Sequence, residues 1–274
     1  MGPGWNATRS ASAARWWLGR YAGLTALATI NLVMAALTIY ALIRFEGGFD
    51  WSIYTEAADR FDGGLYDRSE AYQFRYSPLL ALGFGLLAPI GYVGWTVLHF
   101  VALASLPRTV ALLALVSWPF WDDVYNGNVM TFVFVAAWAA VHRSRLGTLA
   151  FLVLAVLVPR PLMLPLLGWI LWNRREWVWP FIGIASVSLL GALLTGWLPE
   201  WMEELLLRGT DHIGARGVDW GPGLILGTLW VPIGIVLAVW FTMKGRLGLA
   251  SLAASPYWLP HYLFMGLLEL RRRP

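Results

Sequence analysis

Long apolar runs, interrupted by short polar clusters and by Pro and Gly, make up most of this chain. A run such as TALATINLVMAALTIYALI carries no charge and does not alternate apolar with polar residues as a membrane β-strand would. The pattern predicts helices in lipid. The first span is expected over residues 22–43, and further apolar runs follow at 91–107, 109–120, 129–141, 146–158, between Pro161 and Asn173, at 177–197 and at 221–243. The last stretch, broken by Pro256 and Pro260, reads as a short hairpin. The expectation is an all-α, polytopic transmembrane bundle of about eight to ten membrane segments, forming one domain over residues 1–274.

Between the first two apolar runs lies a different kind of sequence. Residues 45–90 are read as an outer loop with juxtamembrane helices, and the part from Phe49 to Pro78 carries Asp50, Glu56, Asp59, Asp62, Asp67 and Glu70 out of sixteen acids in the whole chain. Over residues 51–61, Ile53, Ala57, Ala58 and Phe61 fall near one helical face, which suits a short helix on the membrane surface. The run YSPLLALGFGLLAPIG extends only about 20 Å as a helix, short of a hydrocarbon core of roughly 30 Å, and is read as juxtamembrane or re-entrant. Residues 198–220 form a second polar loop with Glu200, Glu203, Glu204, Asp211, His212, Arg216 and Asp219.

Composition agrees with the pattern. Of 274 residues 58% are hydrophobic and 13% charged, with a mean hydropathy of +0.60, outside the range of soluble domains. The net charge of +4 comes from basic clusters at the ends of apolar runs, the positive-inside pattern, so nucleic acid is not an expected partner. Arg9, Arg15 and Arg20 place residues 1–21 on the cytoplasmic side, ahead of a retained first helix rather than a cleaved signal. The chain has no Cys, which excludes disulfides, thiolate catalysis and Cys-bound metals. This topology sends the loops at 49–75, 121–128, 159–161, 198–220 and 256–262 to one face.

The first outer loop resembles that of the GT-C class of integral-membrane glycosyltransferases, in particular the polyprenol-phosphate-mannose-dependent mannosyltransferases of glycosyltransferase family 87. The resemblance rests on Asp50 shortly after the first span, its spacing to Tyr54, the Gly-Gly-Leu-Tyr turn at Gly63 to Tyr66, and the Phe-Arg-Tyr-Ser-Pro run ending at Pro78. Weaker matches are the Asn-Gly-Asn run at 126–128, Arg160-Pro161 where family members often have Lys-Pro, and the Ser-Pro-Tyr-Trp-Leu-Pro-His stretch at 255–261, which has one extra residue between Trp and His.

The resemblance implies a membrane enzyme that moves a sugar, expected to be mannose, from a polyprenyl-phosphate donor to a lipid-linked or glycan acceptor with inversion. It would act on the non-cytoplasmic face of a prokaryotic plasma membrane, with membrane lipids around it. Asp50 would be the general base that takes the acceptor proton; by position it fits a helix N-cap equally well. Arg75, Arg160 and His261 would hold the donor phosphate, with Tyr54, Asn128 and Trp258 as further donor contacts. His212 and Arg216 are candidate acceptor contacts. Asp122 and Asp123 are weak candidates for Mg²⁺ or Mn²⁺, and His99 and His142 are read as bystanders. Two other readings stay open: a non-catalytic membrane assembly partner, and a lipid or solute transporter, the latter disfavoured by apolar runs nearly free of charge.

Overall fold

Apolar runs without alternation fold as helices. The computed structural model describes residues 4–45, 47–66, 74–207, 212–215 and 219–270, with backbone alone for 4–21 and 207, and contains no strand among them. The helices are α1 (Gly4–Arg44), α2 (Phe49–Asp59), α3 (Pro78–Leu87), α4 (Gly91–Ala104), α5 (Arg108–Leu115), α6 (Trp118–Asn126), α7 (Met130–Val141), α8 (Arg145–Leu157), α9 (Leu164–Asn173), α10 (Val178–Leu194), α11 (Leu198–Leu207), α12 (Gly223–Leu226), α13 (Trp230–Met243) and α14 (Leu247–Ala254). A 3₁₀ segment, Pro260–Leu270, follows.

Four segments among the described residues are long and apolar enough to cross a membrane: Ala22–Arg44, Pro78–Ala104, Arg175–Leu194 and Gly223–Met243. Three shorter apolar helices cover Met130–Val141, Arg145–Leu157 and Pro161–Asn173. This is fewer full-length crossings than the apolar runs suggested. One reason lies at Ser117 and Pro119, where the run at 109–120 breaks into the eight-residue α5 and a new helix α6. The break is satisfied from inside the first span: Asn31 donates to Val116 O at 2.9 Å and accepts from Trp118 N at 2.9 Å. A polar side chain on a long apolar helix is thus used to pair backbone groups at the break, as a segment in lipid would require.

The segment Pro78–Ala104 has the length of a crossing, yet Gly91 with φ of +64° divides it into α3 and α4. Ser77 caps α3, accepting from Leu79 N, with Pro78 in the first turn. Residues 122–126, read as part of a polar loop, belong to helix α6, and residues 198–207 of the second loop form α11.

Helix α2 begins near the expected position, but of the expected face Ile53, Ala57, Ala58 and Phe61 only Ala57 is fully buried, joined by Trp51 and Tyr54. Trp51 stacks on Trp95 at 5.1 Å and Tyr54 packs on Phe84 at 4.5 Å. Aromatic area decides the face, so α2 docks on α3 and α4 instead of floating on a surface.

The buried apolar residues form two clusters. One joins α6, α7, α9, α14 and Pro260–Leu270 around Phe120, Phe134, Leu166 and Phe264. The other joins α2, α3, α4 and α11 around Tyr54, Phe84, Trp95 and Trp201. The polar residues of interest lie where the two clusters meet.

Candidate functional site

The first carboxylate of the polar loop sits in the opening turn of α2. The residue preceding α2 is Gly48, with φ of +90° and no side-chain cap, so Asp50 is not the helix cap that its position allowed. Its Oδ2 instead accepts a hydrogen bond from Asn128 Nδ2. Asn128 follows Gly127, whose φ of +70° ends α6, and a Cβ at that glycine would lie 2.7 Å from the Trp51 Cβ. Only a residue without a side chain lets this turn approach α2 so closely. The turn is pinned from α4 as well: Trp95 Nε1 donates to Gly127 O at 2.8 Å and Tyr92 Oη to Val124 O at 2.6 Å.

Arg160, between Pro159 and Pro161 at the end of α8, is the cation of the site. Its guanidinium donates to Tyr76 Oη and lies 3.4 Å from Asn128 Oδ1. The ring centroids of Tyr76 and Tyr262 are 5.4 Å and 5.1 Å from its Cζ, so the charge is sandwiched between phenols from the two clusters. Burial works against that charge, but the surrounding tyrosines more than offset it and hold the guanidinium well above its usual range. His261 enters from the 3₁₀ segment and pairs through Nδ1 with Asp122 Oδ2 at 2.9 Å.

Three buried polar atoms here have no hydrogen-bond partner among the described residues: Arg160 Nη1, His261 Nε2 and Tyr54 Oη. Asp50 is half-buried, and its carboxyl is pushed above the ordinary value by burial, against the opposing pull of His261, Asn128 and Arg160. Tyr54 is 1% exposed, and burial drives its phenol so far up that it is a neutral donor. A carboxylate therefore stands beside an arginine, an imidazole and a phenol that each keep one polar atom open. Such a set can take a proton at Asp50 and neutralise an anion at the other three.

Asp50, Tyr54, Asn128, Arg160 and His261 are thus brought together. Arg75 is half-buried on the margin, close enough to Tyr257 for its charge to act on that phenol. His212 packs edge-on against Tyr257 at 5.2 Å, at the same margin. Arg216 lies outside the described residues, as do Asp67, Glu70 and Asp211.

Trp258 is half-buried and held in place by its own bonds. Its Nε1 donates to Leu252 O at 2.8 Å, its backbone N–H to Asp219 Oδ1 at 3.1 Å, and its ring lies against Gly221. It wedges the turn at 219–223 onto α14.

Asp122 and Asp123 diverge on α6. Asp122 is paired with His261, while Asp123 is buried at the start of α7, accepting from Thr131 N at 2.7 Å and Thr131 Oγ1 at 2.6 Å. Among the described residues no group of three or more His, Asp or Glu converges as a metal site.

Two participants escaped the sequence reading. Tyr76 lies inside the Phe-Arg-Tyr-Ser-Pro run, next to Arg75. His99 is fully buried next to Asp123, and its position in an apolar run was itself a signal. Compared with family models, with curated proteins and with solved structures, the chain matches none.

Proposed function

We propose that the protein is a membrane glycosyltransferase of the GT-C kind that moves a sugar, mannose by resemblance, from a polyprenyl-phosphate donor to a lipid-linked or glycan acceptor. The acceptor oxygen attacks the anomeric carbon as Asp50 takes its proton. The bond from that carbon to the phosphate oxygen breaks, and polyprenyl phosphate leaves on the opposite side with inversion. Arg160, His261 and Tyr54 face the phosphate and stabilise the charge that develops on it. The site would open to the non-cytoplasmic face of a prokaryotic plasma membrane, where the lipid donor and acceptor meet.

The observation that carries this reading is the pairing of one fixed carboxylate with three buried polar atoms, on Arg160, His261 and Tyr54, that lack partners among the described residues. Buried polar atoms are nearly always hydrogen-bonded in native proteins, so several orphaned together suit a site whose ligand completes them. The test is transfer from radiolabelled polyprenyl-phosphate mannose in membranes containing wild type or Asp50→Asn. Transfer by wild type and its collapse in the variant at equal protein level support the reading. Equal transfer by both removes Asp50 as the base, and no transfer by wild type removes this donor.

A further inference from the structure

His99 lies on α4 inside the apolar segment Pro78–Ala104 and is fully buried. An ionisable side chain at such a position is expensive, and where it occurs it is paired and functional. Its neighbours dictate its protonation. Nδ1 is 2.9 Å from Trp95 O and Nε2 is 2.8 Å from Asn128 O. Carbonyl oxygens only accept, so the ring satisfies both only with a proton on each nitrogen. The countercharge is Asp123, whose Oδ2 lies 3.5 Å from His99 Nε2.

Asp123 links that charge to the start of α7. Besides the two bonds from Thr131, it accepts from Met130 N at 3.2 Å through Oδ1. Its own carbonyl accepts from Asn128 N at 2.9 Å. Asn128 is therefore gripped at its carbonyl by His99 and at its N–H by Asp123. Its side-chain Oδ1 accepts from Val129 N at 2.7 Å, which turns the Nδ2 end toward Asp50.

We propose that His99 and Asp123 are a buried positioning pair that aims the Asn128 amide at Asp50 and so holds that carboxylate where it receives the acceptor proton. The proposal rests on Asp50 being the base, and it names what keeps the base in register. Neither residue touches substrate. They act through a backbone whose left-handed turn at Gly127 would otherwise be free to relax.

The experiment uses the full chain in detergent with ¹³C-labelled aspartate carboxyls, the Asp50 signal being assigned by its loss in Asp50→Asn. In His99→Leu the Asp50 titration midpoint moves upward, because the Asn128 hydrogen bond that favours the carboxylate is lost. Turnover with polyprenyl-phosphate mannose falls about a hundred-fold, with KM for the donor little changed. His99→Gln keeps one donor for Asn128 O and restores part of both. Should His99→Leu fail to fold, Asp123→Asn preserves the shape, removes the countercharge and carries the same expectation. An Asp50 midpoint equal to wild type in a folded variant overturns the proposal. A shifted midpoint in a protein whose wild type transfers no mannose leaves the positioning pair standing and removes polyprenyl-phosphate mannose as the donor instead.

Discussion

Asp50 and Asp123 are both drawn into the same junction between two apolar clusters, and they are treated in opposite ways. Asp123 is fully buried and saturated: two backbone N–H groups, the Thr131 hydroxyl and His99 surround it. Burial pushes its carboxyl up, but these hydrogen bonds and the charges of His99 and His261 win, and it is held below the ordinary value. Asp50 has one side-chain donor, Asn128, and there burial wins, so it is held above. A carboxylate completed by its own fold is part of the scaffold, whereas one left short of partners beside orphaned donors is available for chemistry.

The sharpest way to break this contrast is Asp50→Asn. Loss of a general base should lower sugar transfer about 10²- to 10⁴-fold without lowering stability. The folded pKa of Asp50 is raised, so its contribution to stability is complete at low pH and lost as pH rises through that folded value. The variant should therefore gain in melting temperature relative to wild type on going from acidic to neutral pH, which thermal unfolding in detergent reads directly.

Asp123→Ala should show the reverse. Removing one partner of a buried ion pair costs about 3–5 kcal/mol of stability. Because the folded pKa of Asp123 is lowered, that contribution is present above its unfolded pKa and is lost as pH falls through the folded one. The gap from wild type in thermal unfolding should narrow toward acid. A gap that instead widens would erase the distinction between the two aspartates.

Next in size is Arg160→Lys. It retains the charge but loses the second donor and the stacking between Tyr76 and Tyr262, so transfer should fall about 10²-fold with stability little affected. Steady-state kinetics on the radiolabelled donor would measure it. Gly127→Ala forces a side chain into a φ of +70° and against Trp51, at a cost of about 1–3 kcal/mol. Its activity loss should exceed that of a distant variant of equal melting temperature, because Asn128 shifts with the turn. The smallest effect is expected at Ser188→Ala, where the 2.8 Å bond between the Ser77 and Ser188 hydroxyls is lost for about 1 kcal/mol, seen as a small drop in melting temperature and little change in transfer.

How far these features could be read in the chain depends on the range of the interaction. Apolar runs of sufficient length specify helices in lipid because backbone groups there have no partner but one another, a local requirement. The segments at 22–44, 175–194 and 223–243 were legible on that ground, as was the helix after Asp50. Asp50 and Tyr54 of the acidic loop, the turn at Asn128, Arg160 and His261 were legible as candidates because polar loops interrupt such runs at few places.

What the chain could not state was pairing. Whether Asp122 and Asp123 share a ligand depends on which helix faces present them, and α6 sends one to His261 and the other to Thr131 and His99. The bond from the Trp258 indole N–H to Leu252 O and the carbonyl of Asn128 against the His99 ring, 29 residues away, are likewise set by packing. Local sequence determined the helices and the supply of polar groups, since both follow from neighbours along the chain. Tertiary structure alone decided which groups are completed and which are left open, because burial and hydrogen bonding between distant segments exist only once the helices have packed.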